Sequence, residues 1–150
     1  MNRIAKLKRY LNSAWYWDMN ANRLLADIKR LRSQAEKVTA AYSHAPTFGG
    51  YEDRRQSIMD EMIEKERKFE DARRKSYAYV QEIRLFIGLL EDYKERSVCE
   101  HRYLSYYGWL DIAMALNYSI SNVKKIHDNA LENLLRINDR MQEASGKSLF

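Results

Sequence analysis

Three histidines, one cysteine and a short run rich in serine, asparagine and lysine are the residues of this sequence whose chemistry asks for a partner. His44, His101 and His127 fall on separate segments, and Cys99 with His101 offers two metal ligands at a spacing that completes no zinc set. Acids crowd residues 51–92, but Glu61 with Lys65 and Glu66 with Glu70 stand at helical spacing and make a mixed-charge solvent face, with no evident pocket for an acid and base to share. Gly49-Gly50 is not followed by the lysine and hydroxyl residue of a phosphate loop, so a turn explains it. These residues predict no enzyme, no metal and no cofactor. The run Ser119, Ile120, Ser121, Asn122, Lys124, Lys125, His127 and Asp128 is of another kind: on a helix, its polar members form one face of donors and acceptors suited to base edges and phosphates.

The elements that hold this run must be helices. The 150 residues include five glycines and one proline, too little punctuation for many short strands, while 45% hydrophobic residues are too many for a disordered chain. One strong break precedes residue 100, at Ala45-Pro46-Thr47-Phe48-Gly49-Gly50. Alternate steps of three and four from Leu7 meet only apolar or aromatic residues, through Tyr10, Ala14, Trp17, Leu24, Ile28, Leu31 and Val38 to Tyr42. The same stripe runs from Ile58 through Met62, Phe69, Ala72, Tyr79, Ile83, Phe86 and Leu90 to Tyr93, interrupted at Lys65 and Ser76. A sustained 3.5-residue period keeps its stripe on a partner helix. Two helices of matched length joined by a short loop fold back as an antiparallel hairpin, each about 60 Å long at 1.5 Å per residue.

A bare hairpin leaves part of each stripe uncovered, and Trp15-Tyr16-Trp17 puts aromatic surface on more than one face. The expected cover is a second copy, a dimer or tetramer joined through Trp17, Leu24, Ile28, Leu31, Val38, Phe69 and Ile83; the rival cover is the chain's own last third. The net charge of +5 concentrates at the front, where residues 1–50 hold nine basic and three acidic side chains. Arg3, Lys6, Lys8 and Arg9 there read as a solubility face, or as phosphate contacts if binding weakens steeply with salt. No apolar run approaches eighteen residues, no signal-peptide core follows Met1, and the cysteine is single, so the expected location is cytoplasmic with no membrane partner.

After Tyr93 the heptads give way to short amphipathic pieces. One helix ends around Arg102-Tyr103-Leu104, Tyr106-Tyr107-Gly108 connects, Trp109 to Leu116 makes two turns, Asn117-Tyr118 breaks, and Ser119 caps a helix expected to reach about Asn138. A short helix, a brief break and a longer helix have the spacing of a helix-turn-helix, whose second helix enters the major groove. Ile112, Leu116, Val123, Ile126, Ala130 and Leu131 fall on the inner faces, with Ala113 small enough for a close crossing. Tyr103, Tyr106, Tyr107 and Trp109 read as core around a turn more readily than as a stacking platform.

Arg102 to Leu131, with Arg102-Tyr103-Leu104, Asp111-Ile112-Ala113, Leu116, Ser119, Val123 and Ala130-Leu131 as its matching features, resembles the helix-turn-helix of sigma-factor region four. With its long helical front and Pro/Gly-Gly break, the whole chain is similar to the phage ArpU-like and RinA-like late transcription regulators. The resemblance implies base contacts from Ile120, Ser121, Lys124 and Lys125, with Asn122 nearer the backbone. Ile120 stands where the sigma pattern often has arginine, which leaves an apolar touch there. The expected chain is all-α: residues 1–93 a coiled-coil-like antiparallel hairpin for oligomerisation with its turn at 45–51, residues 94–140 a helix-turn-helix, and 141–150 a flexible tail. The expected function is sequence-specific binding of double-stranded DNA to regulate transcription in the cytoplasm of a bacterial host cell, recruiting or holding host RNA polymerase at phage late genes. The alternatives are a packaging adaptor similar in plan to phage small terminase subunits, and a module that docks on sigma or polymerase.

Overall fold

The computed structural model describes residues 2–42 and 50–150, and the regular structure of these residues is helical throughout. Six helices follow in order: α1 (Arg3–Leu11), α2 (Ser13–Tyr42), α3 (Gly50–Ile87), α4 (Tyr93–Tyr103), α5 (Trp109–Leu116) and α6 (Ile120–Ser145). The chain is all-α, a long antiparallel helix pair followed by a compact helix-turn-helix. Apart from Gly50 and Tyr51, the expected turn at 45–51 lies outside the described residues, as does His44. Contacts divide the chain into two compact units, Trp17–Lys75 on the one hand and the residues up to Tyr16 with Ser76–Phe150 on the other.

In the first unit α2 and α3 run antiparallel. The Tyr42 ring lies 5.0 Å from that of Tyr51, Lys65 Nζ lies 3.3 Å from Asp27 Oδ2, and the Lys75 ammonium sits 4.3 Å over the Trp17 ring. One partner's number falls as the other's rises, so a single register runs through the pair. Ile28, Leu31 and Val38 pack with Ile58 and Met62, and Ala21 and Leu24 pack with Ala72 against Trp17 and Phe69. The polar interruption at Lys65 is accommodated by its salt bridge to Asp27. Here the expected use of the stripe is corrected: Leu24, Ile28, Leu31 and Val38 are buried, with Trp17 and Phe69 half-buried, inside one chain. Heptad periodicity says that a stripe must be covered, and the facing helix of the same hairpin covers it, so little of it remains for a second copy.

The second unit holds two packed layers of side chains that share α6. Leu7, Tyr10, Leu11 and Ala14 meet Ile83, Phe86 and Ile87 from the end of α3 and Leu90 just beyond it, and Leu131, Leu134 and Ile137 of α6 close over them. Ile83, expected at a seam between copies, is fully buried within the chain's own core here. The chain's own last third is the cover for this part of both stripes. Ser76, the other interruption, donates from Oγ to the Ala14 carbonyl at 3.3 Å. The expected boundary near residue 93 therefore falls within a unit, because residues 76–90 pack with α1 and α6.

Two local features depart from the reading of a single first helix and a loose tail. Asn12 interrupts α1 and α2, its backbone N–H and side-chain amide both donating to the Lys8 carbonyl. At the other end α6 runs on to Ser145 and closes at Gly146, whose φ of 74° is the left-handed conformation glycine adopts without strain. Beyond it, Asn138 donates to Ser148 Oγ at 3.1 Å and accepts from the Leu149 N–H at 3.1 Å, and the Phe150 ring lies 5.8 Å from that of Tyr10. Residues 141–150 are thus helix end and packed strap, held because Leu149 and Phe150 are apolar and Asn138 supplies buried hydrogen bonds.

Candidate nucleic-acid interface

Helices α4, α5 and α6 close on Val98, Ile112, Ala113 and Val123, with Trp109, Leu116, Tyr118 and Ile126 packed around them. The turn between α5 and α6 is built by two residues. Asn117 takes φ 58°, ψ 44°, a left-handed conformation that asparagine tolerates better than most side chains. This lets the Tyr118 N–H donate back to the Ala113 carbonyl at 3.0 Å and end α5. Ser119 then caps α6, its Oγ accepting from the Asn122 N–H at 3.1 Å. The expected cap and turn both stand where the spacing placed them.

With Val123, Ala130, Leu131 and Leu134 turned inward, α6 leaves Ser121, Asn122, Lys124, Lys125 and Asp128 exposed, preceded by the exposed cap Ser119 and by Ile120 at 40% exposure. Seven of the eight residues predicted for the interface share this surface. His127 does not. It is 3% exposed, its Nε2 2.6 Å from the Tyr103 hydroxyl and its ring edge-on to Trp109 at a centroid distance of 4.8 Å. Burial pushes its pKa down to about 4, with Lys8 and Arg102 adding to the shift against the opposing pull of Asp128. A neutral, enclosed imidazole is a core group joining α4 to α6, and it reaches no ligand. The signal was present in the sequence: Val123, His127, Ala130 and Leu134 continue the four-three-four spacing of the buried face.

Among the other candidates, Cys99 is fully buried and its thiol is pushed up to about 12 by burial, with Glu95 and Glu100 adding to the effect. It is a packing residue and a poor nucleophile. His101 is turned to its own helix, Nδ1 2.7 Å from the Ser97 carbonyl oxygen. Among the described residues no group of three or more histidine, cysteine, aspartate or glutamate side chains is placed to hold a metal ion. No described helix is long and apolar enough to cross a membrane.

The sequence reading missed the outer face of α5. Leu110 and Met114 are 59% and 73% exposed, one helical turn apart. The core needs only Trp109, Ile112, Ala113 and Leu116 of this helix, so the two surplus apolar residues were visible as leftovers. Comparison with protein-family models, curated proteins and solved structures returned no match.

Proposed function

We propose that this chain binds double-stranded DNA through α6 and regulates transcription, the reading carried by the exposed serine, asparagine and lysine face of a capped helix within a helix-turn-helix. The support is physical. Lys124 and Lys125 supply charge for phosphates or guanine edges, Ser121 and Asn122 supply donors and acceptors, and Ile120 offers an apolar contact of the kind a thymine methyl accepts. The likeness of Arg102–Leu131 to sigma region four supports a promoter or operator as target, in the cytoplasm of a bacterial host at phage late genes. Exposed Leu110 and Met114 favour a protein contact beside the DNA, and host RNA polymerase is the partner this reading assigns to them. Self-association, with the heptad seams already filled, falls to other exposed apolar residues such as Leu85 and Leu89.

Fluorescence anisotropy with duplex DNA at low salt tests the reading. The chain should bind, and Lys124→Ala with Lys125→Ala should weaken binding at least about tenfold, in line with two lost charge-assisted contacts. No duplex binding at low salt, or an unchanged double variant, refutes it. Recovery of genome fragments from upstream of late genes supports regulation, whereas recovery of a packaging-start region assigns the same interface to packaging.

A further inference from the structure

A cleft of about 620 Å³ opens between the α3–α4 turn and the second half of α6, all within one compact unit. Buried Leu90 and Ile137 line it from the core side, and Leu89 stands 51% exposed at its edge. One turn earlier Leu85 is 74% exposed. The coil continues from one leucine to the other, since the Gly88 N–H donates to the Arg84 carbonyl at 3.0 Å and the Leu89 N–H to the Phe86 carbonyl at 3.1 Å. The polar lining is unevenly satisfied. Asp92 is taken up by its own helix, accepting from the Lys94 N–H at 2.8 Å. Glu95, only 7% exposed, has both carboxylate oxygens on one Asn133 amide, at 2.9 and 3.0 Å. The Asn133 carbonyl in turn accepts from Arg136 Nη1 at 3.2 Å. Asn133, Arg136 and Arg140, at i, i+3 and i+7, share one face of α6. Among the described residues no ion pair joins Glu91 or Glu95 to either arginine, and the exposed Arg140 guanidinium and Glu91 carboxylate have no partner at all.

We infer that this cleft is one half of a two-fold interface and that its occupant is a second copy of the chain. Arg140 of each copy enters the other's cleft toward Glu91 and Glu95, while Leu85 and Leu89 of the two copies pack beside it. The charges select this occupant. A polyanion would meet three carboxylates against two guanidinium groups, and a segment of one sign would match one wall alone. The surface that matches both walls is the same cleft turned over, because a two-fold axis sets the acidic α3–α4 side of each copy against the basic α6 face of the other. A carboxylate as buried as Glu95 ordinarily has a cation, and here it has a neutral amide and a cleft wide enough for a guanidinium. The two leucines supply the apolar centre that a charged rim surrounds in such interfaces. This inference deepens the self-association included in the proposed function by giving it a surface. It engages α6 at residues 133–140 and leaves the reading face at 119–128 free, so a dimer presents two reading helices to two half-sites.

The test is sedimentation equilibrium of the full chain without DNA. The parent chain should form a dimer that weakens as salt is added. Glu91→Lys and Arg140→Glu, each at an exposed side chain, should each weaken dimerisation at least about tenfold, since the two-fold axis sets every reversed charge against its like twice. An equimolar mixture of these two variants should regain most of the lost affinity, because each reversed charge then faces its opposite across the interface. Leu85→Ala should weaken the dimer about tenfold with its salt dependence unchanged. A parent chain still monomeric at about 100 μM, well above the micromolar limit for interfaces of standard size, overturns the inference. So does a dimer that the charge reversals leave unchanged, or a loss that the mixture does not regain, which would confine these charges to contacts within one chain. A monomer that binds duplex DNA overturns this inference alone, whereas a dimer of the stated kind that binds no duplex overturns the reading of α6 alone.

Discussion

The hairpin unit and the helix-turn-helix unit use the same resource, apolar residues at helical spacing, to opposite ends. In Trp17–Lys75 the apolar seam is filled by two helices in one register, and the outer faces are mostly charged, with Met19, Met59 and Ile63 the large apolar side chains left exposed. In the other unit α6 serves two cores at once, closing on α4 and α5 with its first half and on α1 and α3 with its second. Its leading turns are left with a polar face that no other element needs. The regular region thus spends its periodic stripe on its own seam, and the irregular region is the one that presents a polar face no core uses. The first depends on repetition, the second on individual residues such as Asn117, Ser119 and His127.

Core truncation separates the two regions most strongly. Leu134→Ala removes a fully buried side chain gripped from several helices and should cost about 3–5 kcal/mol by chemical denaturation. Leu31→Ala in the hairpin, where neighbours lie mainly on one side, should cost about 2 kcal/mol. Equal losses would break the contrast between a multi-helix core and a two-helix seam.

Acid should act next, and selectively. His127 has a folded pKa lowered from 6.5 to about 4, so between these values the unfolded chain takes up a proton that the folded chain refuses. Its contribution is present above about pH 6.5 and is lost as pH falls toward 4, about 3 kcal/mol over the window. His127→Gln should flatten that part of the stability profile when compared with the parent chain. An unchanged profile would mean that the imidazole is more open to water than its enclosure by Tyr103 and Trp109 requires. A smaller effect lies at the α5–α6 turn. Asn117→Ala puts an ordinary side chain at φ 58° and should cost about 1 kcal/mol, whereas Asn117→Gly should be close to neutral.

What the sequence disclosed follows the same division. Period and punctuation were enough for the hairpin, for the Ser119 cap and for the outward face of α6, because each depends on local spacing. The break at Asn12 was hidden, since the stripe passes through it and no glycine or proline marks it; the interruption lies in an asparagine bonding back to Lys8. His127 was counted with the interface run because a polar residue on a buried stripe reads as exposed until its partner is known, and Tyr103 is 24 residues away. The cover for the stripes was beyond periodicity altogether. Spacing shows that an apolar face needs covering, but burial of Ile83 by the chain's own later helices depends on long-range packing.

The smallest effect tests the hairpin's one charged interruption. Lys65 occupies a seam position where an apolar residue would continue the heptads, and its bond to Asp27 lies in a half-buried setting, with side chains 28% and 27% exposed. Pairs of this kind are worth little, because partial desolvation offsets the attraction, so Asp27→Asn should cost under about 1 kcal/mol and the loss should shrink with added salt. A larger, salt-insensitive loss would show that the pair fixes the register of α2 against α3 in the way a buried polar group does in coiled coils. The hairpin would then depend on a single specific contact as the helix-turn-helix depends on Asn117, and the division between repetition and individual residues would narrow to one of degree.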